Sequence, residues 1–334
     1  PVWSVAAGGG TISGAGLFTA GTVAGVFANT VTATAGGVSG AASVTVAAGA
    51  LATIAVTPSP ATVPSSTSQQ FTALGEDVNG NPVAITPTWT ASSGAGTIDG
   101  SGLYTAGTAP GTYPDAVQAT SGSISGVATV TVTVNLGMAT SFALLGGSGA
   151  SSCTGSTVFG DAGADPNGTI TGFPSLCSIS PPGDGILHHD ATATAAQVDL
   201  STAISTLVAM PCTTNLTGLD LGTRTLAPGV YCFATTAQLT GTVTLDGPAT
   251  GLWVFKIGTA LTTAAGGTVT LAGGAKASNV YWQLGTSATF GASNAFQGNL
   301  VASGSITFGA GTTLAGRALV KVAVTMDTDT ITLP

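Results

Sequence analysis

Five segments late in the chain decide its fold: AQLTGT (237–242), TALTTA (259–264), SATFGA (287–292), SITFGA (305–310) and AVTMDT (323–328). Aligned on their apolar positions, they put Leu239, Leu261, Ala288, Ile306 and Val324 in one column and Thr240, Thr262, Thr289, Thr307 and Thr325 in the next. A strand sends successive side chains to opposite faces, so the first column points inward and the second outward. The preceding outward column holds Gln238, Ala260, Ser287, Ser305 and Ala323, all small but the first. Between these segments lie the hydrophobic runs LWVFKIG (252–258), VYWQLG (280–285), GNLVAS (298–303) and GRALVKV (316–322), suited to a second face covered from outside. Repeated coils whose side chains stack in columns predict a β-solenoid.

One segment upstream has a different period. In DATATAAQVDLSTAISTLV (190–208), Ala193, Ala196, Leu200, Ala203, Ile204 and Leu207 recur every three or four positions and form one helical face. Asp190 suits the N-cap and Pro211 lies just past the end. Such a helix is about 28 Å long, enough to lie along five or six strands stacked about 4.8 Å apart.

The N-terminal third repeats itself. Trp3–Val46 recurs at Trp89–Val132 with no gap: GGGTISGAGLFTAGT matches GAGTIDGSGLYTAGT, and VTATAGGVSGAASVTV matches VQATSGSISGVATVTV. Short Val/Thr/Ile-rich runs broken by Gly-containing turns are the pattern of a β-sandwich, and Asn79-Gly80 is a strong hairpin turn. The chain thus divides into a partial sandwich (1–49), a complete one (50–134) and the solenoid (135–334). The first copy lacks a counterpart to residues 47–86. Its missing strands are expected either upstream in a longer parent chain or from another copy of the protein by strand addition.

Composition narrows the partners. Only 5% of the 334 residues are charged, against roughly 25% in an ordinary soluble domain, while 44% are hydrophobic and mean hydropathy is +0.50. A net charge of −8 excludes a role that depends on neutralising a phosphate backbone, so nucleic acid is not expected. No apolar run reaches the ~18 residues of a membrane span. Cys153, Cys177, Cys212 and Cys232 match no metal knuckle. An even count with little Lys points to two disulfides in an oxidising compartment, and so to an exported protein. Three pairings are open; Cys153–Cys177 and Cys212–Cys232 close the shortest loops, and buried free thiols are the alternative.

Catalytic chemistry is hard to find. His188, His189 and Asp190 are adjacent, with no third ligand at useful spacing, and they read as turn and cap residues. Asp161 and Asp165, or Glu76, Asp77 and Asn79, do not fit a calcium loop with its terminal Glu. No nucleophile elbow or phosphate loop occurs. Neither an enzyme, a metal nor a cofactor is expected. Two sequons, at Asn167 and Asn215, are taken as incidental.

Two families are resembled. WTASSGAGTIDGSGLYTAG with its closing VTVTV is similar to the bacterial group 2 immunoglobulin-like domain, found in tandem on surface and secreted proteins, over residues 1–134. GDAGADPNGTITGFP, LHHDATATAAQVDLSTA, CTTNLTGLDLGTRTLAPGVYCF, NVYWQLGTSATFG and GRALVKVAVTMDTDTI resemble the ice-binding-protein family over residues 136–334. That resemblance implies a discontinuous right-handed β-solenoid with a helix along it, an ice crystal as partner, and an extracellular, secreted or cell-surface location. It further implies a flat face of Thr240, Thr262, Ser287, Thr289, Ser305, Thr307, Ala323 and Thr325 as the ice contact, with the immunoglobulin-like modules as spacers. The competing expectation is a subunit of an extracellular fibre or matrix, joined through the incomplete first module.

Overall fold

A computed structural model describes residues 1–334 except 7, 166, 182–184 and 186. It falls into two compact units: Pro1–Ser59, Gln69–Tyr104 and Pro114–Thr129 form the first, and Pro60–Ser68, Thr105–Tyr113 and Val130–Pro334 the second.

In the first unit the sequence repeat is a structural repeat, kept to the residue. Strand Val2–Val5 pairs antiparallel with Gly25–Ala35, from Val2 opposite Thr34 to Val5 opposite Val31. Thr88–Ala91 pairs in the same way, from Thr88 opposite Thr120 to Ala91 opposite Val117. Asn29 and Asp115, equivalent in the repeat, both have a φ of 51°, a left-handed conformation that Asn and Asp tolerate better than most residues. The Asn79-Gly80 turn is built on Asp77. Its Oδ1 accepts the N–H groups of Asn79 (2.8 Å) and Asn81 (2.9 Å), and its Oδ2 accepts from Gly49 N–H and Asn81 Nδ2. Asn81 reaches into the first copy, donating from Nδ2 to Thr22 O and accepting Ala24 N–H at Oδ1. Those donors hold the Asp77 carboxyl well below the usual range.

The second unit is dominated by parallel coils. Each coil runs from a strand under the helix, through a short strand on a second face, to a strand on a third. Under the helix, Phe142–Gly146, Thr313–Val320, Ala295–Ala302, Val280–Leu284, Trp253–Ile257 and Gly229–Phe233 stack in that order. The stack is discontinuous in sequence: Phe142–Gly146 and Ala150–Thr154, first in the chain, lie beside Thr313–Val320 and Val324–Asp327, nearly the last. The helix carries the chain back to the opposite end, where Thr214–Asn215 begins the remaining coils.

Burial follows the alternation. Trp253, Phe255, Trp282, Leu300, Ala318 and Ile306 are wholly buried inside the coils. Tyr231, Phe255 and Trp282 occupy one register and stack, with ring centroids 5.4 and 3.9 Å apart. Both disulfides form as favoured above, with Cα atoms 6.1 Å apart for Cys153–Cys177 and 5.9 Å for Cys212–Cys232.

The helix spans Ala191–Ala209, and Asp190 caps it by accepting the N–H groups of Thr192 and Ala193. Ala193, Ala196, Leu200, Ala203 and Leu207 are buried against Leu145, Val230, Val254, Tyr281, Val301 and Leu319. Gln197 is the polar exception on that face: its Nε2 donates to Gly146 O (2.7 Å) and Val320 O (2.8 Å), bonding the helix to two coils.

Candidate functional site

The second face of the solenoid is a seven-stranded parallel sheet running from Thr169–Thr171 to Ala237–Leu239. Its central outward positions are in register: Thr171 beside Ser152, then Thr325, Thr307, Thr289, Thr262 and finally Gln238. Beneath them Ala237, Leu261, Ala288, Ile306 and Val324 are buried, at most 2% exposed. Phe290 and Phe308 fill the next inward positions, with ring centroids 4.9 Å apart. The inner columns fix the strands, and the strands fix the outer hydroxyls.

Four of the five aligned threonines stand where expected. Thr262, Thr289, Thr307 and Thr325 are consecutive and exposed. Ser287, Ser305 and Ala323 lie two residues before three of them and are half-buried. Thr240 is a correction: Gln238, not Thr240, pairs with Thr262. Thr240 instead donates its hydroxyl to Asp220 Oδ2 (2.7 Å), and its N–H goes to Asp220 Oδ1 (3.0 Å). Both Ala237 and Leu239 point inward, so a slip of two residues preserves the in–out pattern. Matching leucine to leucine therefore chose the wrong one of two equivalent registers. The same pairing adds Thr171 and Ser152, from the sequence-distant coils that the columns did not include.

No described residue hydrogen-bonds the hydroxyls of Thr262, Thr289, Thr307 or Thr325, whereas Thr171 Oγ1 donates weakly to Ser151 O (3.4 Å). The central rungs are therefore left to meet water. Charge is confined to the margins. Asp327 follows Thr325 at one edge, and Asp220 bridges to Gln238 at one end. Burial pushes the Asp220 carboxyl up, but N–H donors from Thr240 and Gly222 outweigh it and hold the group below its ordinary value.

The third face carries a second ladder that sequence reading missed. Ser178, Thr157, Thr330, Thr313, Ala295, Thr268 and Thr242 are in register. All are exposed or half-buried. The signal was available in TVT at 242–244 and 268–270 and TIT at 330–332, but the strands of this face are partly continuous with those under the helix. Ala295–Ala302 and Thr313–Val320 turn the corner without a break, which hides the boundary between the faces. Several of these hydroxyls are engaged: Thr268 Oγ1 donates to Gly266 O (3.0 Å), Thr313 Oγ1 to Asn294 O (3.4 Å), and Ser178 Oγ to Thr157 Oγ1 (3.1 Å).

The other candidates serve local structure. His188 lies with Nδ1 3.4 Å from Asp190 Oδ2 and Nε2 3.9 Å from Asp161 Oδ2, its ring against Phe142. His189 Nε2 meets Gly168 O at 2.9 Å. Asp165 accepts Asn167 N–H within its own turn.

These features define a class: a discontinuous parallel β-solenoid clasped by one helix, with a hydroxyl-bearing sheet turned to solvent. The model of the Ice-binding-like family matches residues 144–332, more than half of the chain, and the chain belongs to that family. An ice-binding protein of Nostoc sp. (strain HG1) is 42% identical over 59% of this chain and 72% of its own length. The crystal structure of an ice-binding protein from Antarctomyces psychrotrophicus, an Antarctic ascomycete, superposes with a TM-score of 0.56 at 37% identity, covering 60% of this chain and 98% of that one. A structure of an Arctic yeast ice-binding protein, described for its antifreeze activity, gives 0.56 at 31% identity over 60% and 94%.

Proposed function

We propose that the chain binds ice through its seven-stranded face, and that Thr171, Ser152, Thr325, Thr307, Thr289 and Thr262 make the contact, flanked by Ser287, Ser305 and Ala323. One observation carries this reading: four consecutive in-register threonines have hydroxyls with no described protein partner, on a sheet whose strands repeat about every 4.8 Å. That spacing is close to a repeat of the ice lattice, so water ordered over the face can join the crystal. Each contact is weak, but a preorganised surface makes many at once with little ordering loss. This is binding, not catalysis, and no charged side chain stands within the ladder to disrupt it. The paired cysteines support a location outside the reducing cytoplasm, secreted or on the cell surface. The immunoglobulin-like copies then act as spacers that hold the solenoid away from its point of attachment.

The test is the double substitution Thr289→Tyr with Thr307→Tyr, which sets two rings on the middle of the face. Thermal hysteresis and inhibition of ice recrystallisation are expected to be abolished, with far-ultraviolet circular dichroism unchanged. Wild-type activity in a folded double variant would remove this face from the mechanism.

A further inference from the structure

The third face of the solenoid repeats the pattern of the second on the same coils. Each coil that offers a rung to the seven-stranded face passes, four to seven residues later, to a rung of the other ladder. Thr262 leads to Thr268, Thr307 to Thr313, and Thr325 to Thr330. The two ladders therefore share one rung spacing and one phase, and they meet along a common edge.

We propose that this third face is a second ice-docking surface, so that the chain engages two planes of a crystal where they meet. The inference rests on the reading that the seven-stranded face binds ice. Three observations carry it beyond that reading. The two outward columns nearest the shared edge hold no charge: the first is Ser, Thr and Ala throughout, and the second runs from Ser180 and Phe159 through Thr332, Ala315 and Gln297, with Thr270, Thr244 and Thr225 at the far end. Asp246 and Arg317, one outward position farther on, bring charge only to the opposite margin, as Asp327 does on the seven-stranded face. Two adjoining uncharged columns fit a neutral lattice of water better than a phosphate polymer or a charged protein. The internal hydrogen bond of Thr268, and more weakly that of Thr313, restricts those side chains, which reduces the ordering needed on contact. Finally, the face continues directly from the proposed ice contact along every shared coil, so a crystal growing past the edge meets it next. Fewer unengaged hydroxyls make it the weaker of the two.

The experiment uses the full chain carrying a fluorescent label, frozen into a single-crystal ice hemisphere so that the decorated planes are seen directly, with thermal hysteresis measured in parallel. The variant Thr268→Tyr with Thr313→Tyr is compared with wild type and with Thr289→Tyr/Thr307→Tyr. The third-face variant is expected to lose at least one decorated plane and at least half of the hysteresis while still decorating the others. The second-face variant should keep only weak decoration, on the planes that the third-face variant loses. A third-face variant with wild-type decoration and hysteresis overturns the proposal and leaves the seven-stranded face intact. Undiminished activity in the second-face variant, with loss in the third-face one, overturns instead the assignment of the principal face. Thr268→Lys with Thr313→Lys guards against misfolding. Its side chains extend into solvent, and wild-type decoration by this pair, with an unchanged melting temperature, likewise overturns the proposal.

Discussion

Asp329 is 2% exposed where three coils meet. Its Oδ1 accepts Thr312 N–H and its Oδ2 accepts Asp327 N–H, both at 2.8 Å, while its own N–H donates to Ser156 Oγ in the N-terminal coil. Burial pushes this carboxyl above its ordinary value of 3.8, the neighbouring Asp327 charge adds to the push, and the two N–H donors only partly offset it. Between 3.8 and the raised value the folded chain holds a proton that the unfolded chain has released, so stability falls as pH rises through that window. Asp329→Asn cannot titrate. The difference in unfolding free energy between it and wild type, from urea denaturation at stepped pH, should change across that window and be flat above it; a flat difference throughout would refute the assignment. Carboxyls held low by N–H and hydroxyl donors, such as Asp99, have the opposite sign and cancel in the difference. This seam was not legible in the sequence, because nothing local says that Ser156 and Asp329 are neighbours. The registry of Gln238 was hidden for another reason: a two-residue slip leaves every side chain on its original face, so apolar patterning gives the face and not the rung.

Among the elements, the helix was the most legible and its attachment the least. A 3.6-residue period and a capping aspartate fix its ends within a residue, since both signals are local. How it is held depends on polar groups that a hydrophobic pattern treats as noise. Gln197 bonds the carbonyls of Gly146 and Val320. Lys321 Nζ donates to Gln197 O and Ser201 Oγ, and Lys256 Nζ to the last-turn carbonyls Val208 O and Met210 O. Cations at a helix C-terminus also oppose the negative end of its dipole. Gln197→Leu keeps the bulk but removes both hydrogen bonds, leaving Gly146 O with only the longer bond from Asp165 N–H (3.2 Å), so a loss of about 1–3 kcal/mol is expected by chemical denaturation. Val198→Ala, at a residue 62% exposed on the opposite side, should stay within about 0.5 kcal/mol. Equal effects would mean that apolar burial alone docks the helix. The disulfides are a second element-scale constraint: replacing Cys153 and Cys177 together by Ser should lower stability by about 2–4 kcal/mol through the freed unfolded chain, read from the denaturation midpoint.

For the molecule as a whole, the scarcity of charge becomes a mechanism once the cations are located. Of the five Lys and Arg residues, Lys256 and Lys321 serve the helix. Arg317 bonds Thr140 O and Asn299 Oδ1, and Arg224 bonds Asp220 O. Among the described residues no Lys or Arg pairs with a carboxylate; both ion-pair contacts involve His188. Apart from exposed Lys276 and the carboxylates that give the net charge of −8, which limits self-association, the surface is left to hydroxyls, methyls and backbone. Contacts of this kind have no ionic attraction to screen. The Debye length shrinks from about 30 Å at about 0.01 M salt to about 3 Å at about 1 M, a range that would strip most of the affinity from a charge-steered complex. Thermal hysteresis, as the gap between melting and freezing points, already excludes the colligative depression that salt imposes on both. At fixed protein concentration it should therefore fall by less than twofold across that range of sodium chloride. A steep decline would place the adhesion on Asp327, Asp220 or another marginal charge, and would shift the contact from the middle of the ladder to its edge.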